Sequence, residues 1–267
     1  MKVNKIIRQV CRTVKESRLE SGLLFWAGAL FVCLIMICTL GKEAVAVSST
    51  YGNRELPIYS VDTEEKKIAI SFDAAWGAED FQEIMDVLDK HQVKTTFFMT
   101  GEWVENYPEC VKELVEKGHD LGNHSATHPD MTTLSKEKQK EQIMEVHNAV
   151  KELTGYEMEL FRPPYGAYNN DLIRTCYENG YYPIQWNCDS LDWQDHDANT
   201  IIKNVCQNKN LGAGAIILCH NGAKHTAEAL DAMITNLKEQ GYELVPISEL
   251  IMREDFHMDG TGRQLAD

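Results

Sequence analysis

Five short motifs carry residues that could do acid–base or metal-ion chemistry, and they lie in order along the chain. Asp73 follows Ile68-Ala-Ile-Ser-Phe72, where a carboxylate could act as a general base or a metal ligand. His124 and His128 stand four apart, so on one helical turn their imidazoles would face the same way and could grip one ion. Arg162 opens Arg-Pro-Pro-Tyr165-Gly166, a turn from which a guanidinium could clamp a carboxylate through two parallel hydrogen bonds. Asp189 and Trp193 bound Asp-Ser-Leu-Asp-Trp. His220 ends Ala215-Ile-Ile-Leu-Cys-His, a position costly to bury without a partner. Trp76, Tyr165 and Trp193 lie close to these residues, and their rings suit stacking on sugars. Asp80 and Glu83 resemble a helix N-cap with its reciprocal partner rather than chemistry.

Elements that could position these residues recur at a steady interval. Strand starts are expected near 68, 94, 119, 159, 181, 215 and 243. Helices are expected over 80–91, 108–117, 135–153, 170–179, 200–208 and 227–240, with a closing turn at 248–252. Strands alternating with helices at roughly 30-residue intervals predict a parallel sheet with crossover helices, closed as a barrel or open and doubly wound. In either case chemistry gathers at the carboxyl ends of the strands, where all five motifs fall.

The chain has 267 residues and a net charge of −15. Its first twenty residues run against that balance, with six basic side chains to two acidic. The body is therefore acidic, which excludes nucleic acid as a partner class. Residues 21–41 carry no charge. As a helix they would reach about 31 Å, enough to cross a bilayer core. The basic flank places residues 1–20 inside and the remainder outside, as a single-pass plasma-membrane protein. The alternative is a secreted chain cleaved near Ala46, after a small-residue Ala44-Val-Ala46 site. Residues 42–64 read as a polar stalk, 65–252 as the folded domain and 253–267 as a polar, disordered tail. Five cysteines lie beyond the span (Cys110, Cys176, Cys188, Cys206 and Cys219), with no C-x-x-C pair, and read as buried thiols rather than a disulfide framework.

Taken in order, Ser71-Phe-Asp73, His124-Ser-Ala-Thr-His128-Pro129, Arg162-Pro-Pro-Tyr-Gly166, Asp189-Ser-Leu-Asp-Trp193 and Leu218-Cys-His220 resemble the motifs of the polysaccharide deacetylases, the NodB-homology domain of carbohydrate esterase family 4. The resemblance covers roughly residues 64–252. It implies a distorted (β/α)7-type barrel, here preceded by one N-terminal transmembrane helix. It also implies metal-dependent removal of N-acetyl groups from a polysaccharide, and the membrane anchor favours peptidoglycan. By the same resemblance Asp73 is the general base, held by Arg162, and His220 is the general acid, tuned by Asp189. His124 and His128 bind a divalent metal, zinc in most members, with cobalt or manganese as alternatives. The backbone N–H of Tyr165 helps to stabilise the oxyanion. One position departs from the pattern. The family has a second Asp directly after the base as third metal ligand, and this chain has Ala74. Asp130 and Asp192 are the candidate substitutes. The competing expectation is a glycan-binding or regulatory module that lost catalysis together with this ligand, although some branches, notably deacetylases of spore-forming bacteria, resemble this Phe-Asp-x-x-Trp-Gly form.

Overall fold

The computed structural model describes residues 50–267. The expected membrane span at 21–41, the basic segment before it and the first part of the expected stalk lie outside the described residues. Among the described residues, no helix is long and apolar enough to cross a membrane.

Short strands β1 (Thr50–Tyr51), β2 (Arg54–Glu55) and β3 (Ser60–Val61) precede the repeating units. The units then run β4 (Lys67–Ala74), α1 (Phe81–His91), β5 (Thr96–Met99), α2 (Gly101–Asn106), α3 (Pro108–Glu116), β6 (Asp120–Asn123), α4 (Lys136–Thr154), β7 (Leu160–Phe161), α5 (Asn170–Glu178) and β8 (Tyr182–Pro183). They continue through β9 (Cys188–Asp189), α6 (Ala198–Cys206), β10 (Ile216–His220), α7 (Thr226–Glu239), β11 (Glu243–Leu244) and α8 (Ile247–Leu250), and end in β12 (Phe256–Met258) and β13 (Arg263–Ala266).

The main sheet is parallel throughout, in the order β8-β7-β6-β5-β4-β10-β9, with β11 paired to the start of β4. Its two edge strands, β8 and β9, are consecutive in sequence. The five steps from Pro183 to Cys188 span at most about 18 Å, whereas a flat seven-stranded sheet would hold its edges about 29 Å apart. The sheet must therefore curl, and it forms a parallel half-barrel. The incoming chain bridges the gap, since Ile58 pairs with Ile184 and Ser60 with Ala215.

Alternation along β4 separates its two faces. Ile68, Ile70, Phe72 and Ala74 join the larger core beneath the helices, while Ala69 joins the smaller core inside the curve. Ser71 and Asp73 share the inner face with Ala69. The helices start and stop as their sequences dictate. In α4, Ser135 caps the N-terminus, Ile143, Val146 and Val150 form the buried stripe, and Gly155 ends it in the left-handed region at φ 77°.

Each of the seven expected strand starts lies within two residues of an observed one. The segment expected as one strand from 181 holds two, β8 and β9, on opposite edges of the sheet, and the short helix α2 is not among the expected helices. Two further expectations do not hold. The tail beyond Arg253 is ordered: β12 and β13 pair antiparallel, β13 pairs with β3, and Phe256, Met258 and Gln264 are buried. The described part of the expected stalk is likewise built into the domain, with Leu56, Ile58 and Val61 buried. Cys176, Cys188, Cys206 and Cys219 are buried free thiols, and Cys110 is half-buried.

Candidate active site

The register of the sheet assembles the site. His220 lies opposite Asp73 across β10 and β4. Met99 lies opposite Asn123, and Asn123 opposite Phe161. His124 and Arg162 are thus each the first residue beyond neighbouring strands. A cavity of about 510 Å³ opens at these exits, lined by Asp73, Ala75, Trp76, His124, His128, Tyr165, Gly166, Trp186, Asp189, Trp193, Leu218 and His220. All of the predicted site residues line it except Arg162, which sits beneath its floor.

Arg162 is fully buried and donates from Nη1 to Asp73 Oδ1 at 2.7 Å and from Nη2 to Ser71 Oγ at 2.8 Å. Its guanidinium lies 4.0 Å from the centre of the Phe98 ring. Burial alone would raise the Asp73 pKa, but the positive charge of Arg162, with His124 and His220, outweighs it and holds the carboxyl below its ordinary value. Asp73 is therefore an anion with one oxygen committed to Arg162. Its other oxygen, Oδ2, lies 3.5 Å from His124 Nε2.

The two histidines converge, but not on a helical turn. Ser125 and His128 adopt positive φ of 68° and 53°, which fold the loop back on itself. His124 Nδ1 lies 2.7 Å from the carbonyl oxygen of Arg162. A carbonyl can only accept, so Nδ1 carries the proton. Burial pushes the His124 pKa down to about 4, which leaves Nε2 as a free lone pair. Burial also lowers that of His128. The two Nε2 atoms are 3.1 Å apart, and two imidazoles on one ion at 2.0–2.1 Å would hold their nitrogens about 2.9–3.4 Å apart. The pair therefore fits two contacts of a divalent cation.

A third protein ligand is not supplied. Ala74 is fully buried in the core beneath the helices. Asp130 is exposed and accepts from Thr132 in its own turn. Both oxygens of Asp192 are engaged elsewhere. Among the described residues, no group of three or more His, Cys, Asp or Glu side chains is arranged to hold a metal.

The partner of His220 is Asp192, not Asp189. Asp192 Oδ1 lies 2.7 Å from His220 Nδ1. Its Oδ2 accepts from the His220 backbone N–H at 2.7 Å and from the Thr226 hydroxyl at 2.6 Å. Burial would lower the His220 pKa, but the bond to Asp192 and the charges of Asp73, Asp192 and, least, Asp189 lift it above the ordinary histidine value. Asp189 instead accepts from Trp186 Nε1 at 3.1 Å and from the Leu191 N–H at 2.9 Å, and lines the cavity wall. Leu191, at φ 56°, turns the chain between the two aspartates.

Three exposed aromatics frame the opening: Trp76, Tyr165 and Trp193. Trp76 stacks on His220 with ring centroids 5.1 Å apart and planes 21° from parallel. Tyr165, at φ 61°, sets its ring edgewise to His128 at 4.6 Å.

Comparison with known proteins gives the family. The family model described as polysaccharide deacetylase matches residues 60–184. The chain is 33% identical over 204 residues to the peptidoglycan-N-acetylmuramic acid deacetylase PdaA of Bacillus subtilis, covering 75% of this chain and 77% of that one. The chain belongs to the polysaccharide deacetylase family. The solved structure of PdaA, a family 4 carbohydrate esterase, superposes with a TM-score of 0.68 over 73% of this deacetylase-family chain and 84% of PdaA. The peptidoglycan-N-acetylglucosamine deacetylase PgdA of Listeria monocytogenes is 38% identical over 211 residues, which span 76% of this chain and 44% of PgdA. A family 4 pseudoenzyme from Bacillus anthracis is 34% identical, with a TM-score of 0.70 over 74% of this chain and 69% of that one. A mutant of that pseudoenzyme has restored enzymatic activity. Members of this deacetylase family thus include both active hydrolases and a pseudoenzyme at similar structural distance from this chain.

Proposed function

We propose that the chain hydrolyses N-acetyl groups from peptidoglycan, with Asp73 as general base and His220 as general acid. One observation carries the reading. Two pairs of opposite polarity face a single cavity: Asp73, held as an anion by fully buried Arg162, and His220, biased toward its cation by fully buried Asp192. Amide hydrolysis needs both, one group to take a proton from the attacking water and another to give a proton to the leaving nitrogen.

Asp73 Oδ2 is the free oxygen and takes the water proton. His220 gives up the Nε2 proton, because its Nδ1 faces Asp192. Transfer to the amide nitrogen releases acetate and leaves a sugar amine. His124 and His128 would hold a divalent cation, zinc or else cobalt or manganese, which supplies polarisation of the acetyl carbonyl and of the attacking water. The backbone N–H of Tyr165 serves the developing oxyanion, and the rings of Trp76, Tyr165 and Trp193 offer faces to the sugar units. Residues 21–41 anchor the chain in the plasma membrane with the deacetylase domain outside, where an insoluble wall polymer is in reach. Release after cleavage near Ala46 is the alternative route to the same side.

A second reading has its own observation. Ala74 leaves the histidine pair without a third protein ligand, which favours a glycan-binding or regulatory module with impaired catalysis. Acetate release from peptidoglycan and from chitin oligomers, with and without zinc, cobalt or manganese, separates the two. Metal-stimulated release supports the hydrolase. Glycan binding by folded protein with no release under any metal supports the module.

A further inference from the structure

The loop carrying Trp76 and the loop following His220 are fastened together by a residue outside the five motifs. Asp80 occupies the N-cap position of α1, yet its carboxylate makes no bond to that helix. It reaches instead across to the loop after β10. There it accepts from the Gly222 backbone N–H, at 2.9 Å to Oδ1 and 3.0 Å to Oδ2, and from the side-chain amide of Asn221. These are the two residues directly after His220. Asn221 is fully buried, and its backbone N–H donates to the carbonyl of Asp73 at 3.1 Å.

The packing around this clasp leaves little slack. Gly222 has φ 84°, and a Cβ there would stand 3.2 Å from the Gly77 backbone and from Trp76 Cβ. The opposite side of the Trp76 loop is held by the Trp103 indole, which donates to the Gly77 carbonyl at 3.3 Å. Trp76 then lies flat on the His220 ring. The ends of β4 and β10 are already adjacent through the sheet. Beyond the sheet, the Asp80 carboxylate joins the two excursions through side-chain hydrogen bonds, and charge-assisted bonds to backbone N–H groups are the stronger kind.

We propose that Asp80 is a positioning residue for the deacetylation reaction, clasping the Asn221–Gly222 turn so that His220 and Trp76 stay stacked and in register with Asp73. The proposal rests on the hydrolase reading for its catalytic consequence, but not for the clasp itself. Asp80 touches neither substrate nor the reacting atoms. Its effect passes through where His220 and Trp76 sit, and displacement of a catalytic group by about 1 Å can cost about 100-fold in rate.

The test compares the full chain with Asp80→Ala and Asp80→Asn, the second keeping the shape and one acceptor. Hydrogen exchange is read over residues 75–80 and 220–225. The clasp predicts faster exchange in both segments of Asp80→Ala, with the α4 and α7 amides unchanged, and a smaller increase in Asp80→Asn. In acetate-release kinetics, kcat falls about 10-fold or more while KM stays within about 2-fold, and Asp80→Asn recovers part of the loss. Unchanged exchange over 220–225 in either folded variant overturns the clasp. Faster exchange with an unchanged kcat overturns the positioning role. A parent chain that releases no acetate refutes the hydrolase reading instead, and the exchange result still decides whether Asp80 couples the two loops.

Discussion

Asp73 and His220 are register partners at the ends of β4 and β10, so two adjacent parallel strands deliver a carboxylate and an imidazole to the same wall of one cavity. Each is tied from behind by a buried partner of opposite charge, Arg162 for the one and Asp192 for the other. The pairing divides the labour of amide hydrolysis between neighbours, and the following expectations depend on it.

The pH profile should be set by these two groups moving apart. Arg162 holds Asp73 below the ordinary carboxylate value, so the base stays ionised into mild acid. Asp192 holds His220 above the ordinary histidine value of about 6.5, so the acid stays protonated to higher pH than an ordinary imidazole would. Activity is lost as pH rises through the His220 pKa. Asp192→Asn removes the charge that lifts that pKa, and the alkaline limb of kcat should move to lower pH, with kcat down by about 100-fold. Asp189→Asn, whose carboxylate bonds Trp186 and Leu191 and reaches His220 only through space, should move that limb less than Asp192→Asn does.

Removing Arg162 should unsettle the fold as well as the reaction. Arg162→Met strands the Asp73 carboxylate in a buried site without its counter-ion, a change that costs about 3–5 kcal/mol. The sign of the pH dependence follows from the direction of the shift. A depressed Asp73 pKa stabilises the fold above the unfolded value of about 3.9, and that stability is lost as pH falls through the lower folded value. Thermal melts of the parent from pH 7 down to pH 2 should show this loss. In Arg162→Met the Tm should already be lower at pH 7, and its acid-dependent fall should be smaller.

Metal binding should require both histidines and tolerate mild acid. His124, with its pKa pushed down to about 4, is mostly neutral in mild acid, so its Nε2 needs little deprotonation there to bind a cation. Either His124→Ala or His128→Ala should reduce bound zinc or cobalt from one equivalent to none in equilibrium dialysis at pH 7. Asp73→Asn should keep the metal and lose turnover.

Ala74→Asp places a carboxylate where the family carries its third ligand. Ala74 is fully buried in apolar surroundings, so without metal the new charge should lower the Tm. With zinc present the variant should gain more in Tm than the parent does, because ligand binding stabilises the folded state by mass action. Equal gains in parent and variant would show that residue 74 cannot reach the ion.

The parts of this site that the sequence makes legible are those dictated by period and strand ends. The apolar runs 68–72 and 215–219 locate β4 and β10, and their terminal residues Asp73 and His220 follow directly. The partner of His220 is less legible, because Asp189 and Asp192 share one four-residue motif. Only the turn at Leu191, at positive φ, decides which of them faces the imidazole. Likewise Asp80 reads as an N-cap, since Asp before Phe-Gln-Glu is a common helix start. Its bonds to Asn221 and Gly222 span more than 140 residues, beyond any local pattern. The polar tail conceals an alternation, Phe256 and Met258 inward about an exposed His257, that is too short to stand out among charged neighbours.

The most direct measurement is acetate released from purified peptidoglycan by the metal-stripped chain, by the same chain after zinc is restored, and by Asp73→Asn with zinc. Zinc-restored release from the parent, and none from Asp73→Asn, is the predicted result. No release from folded parent with zinc, cobalt or manganese would contradict the central claim, and release undiminished in Asp73→Asn would contradict the role assigned to its base.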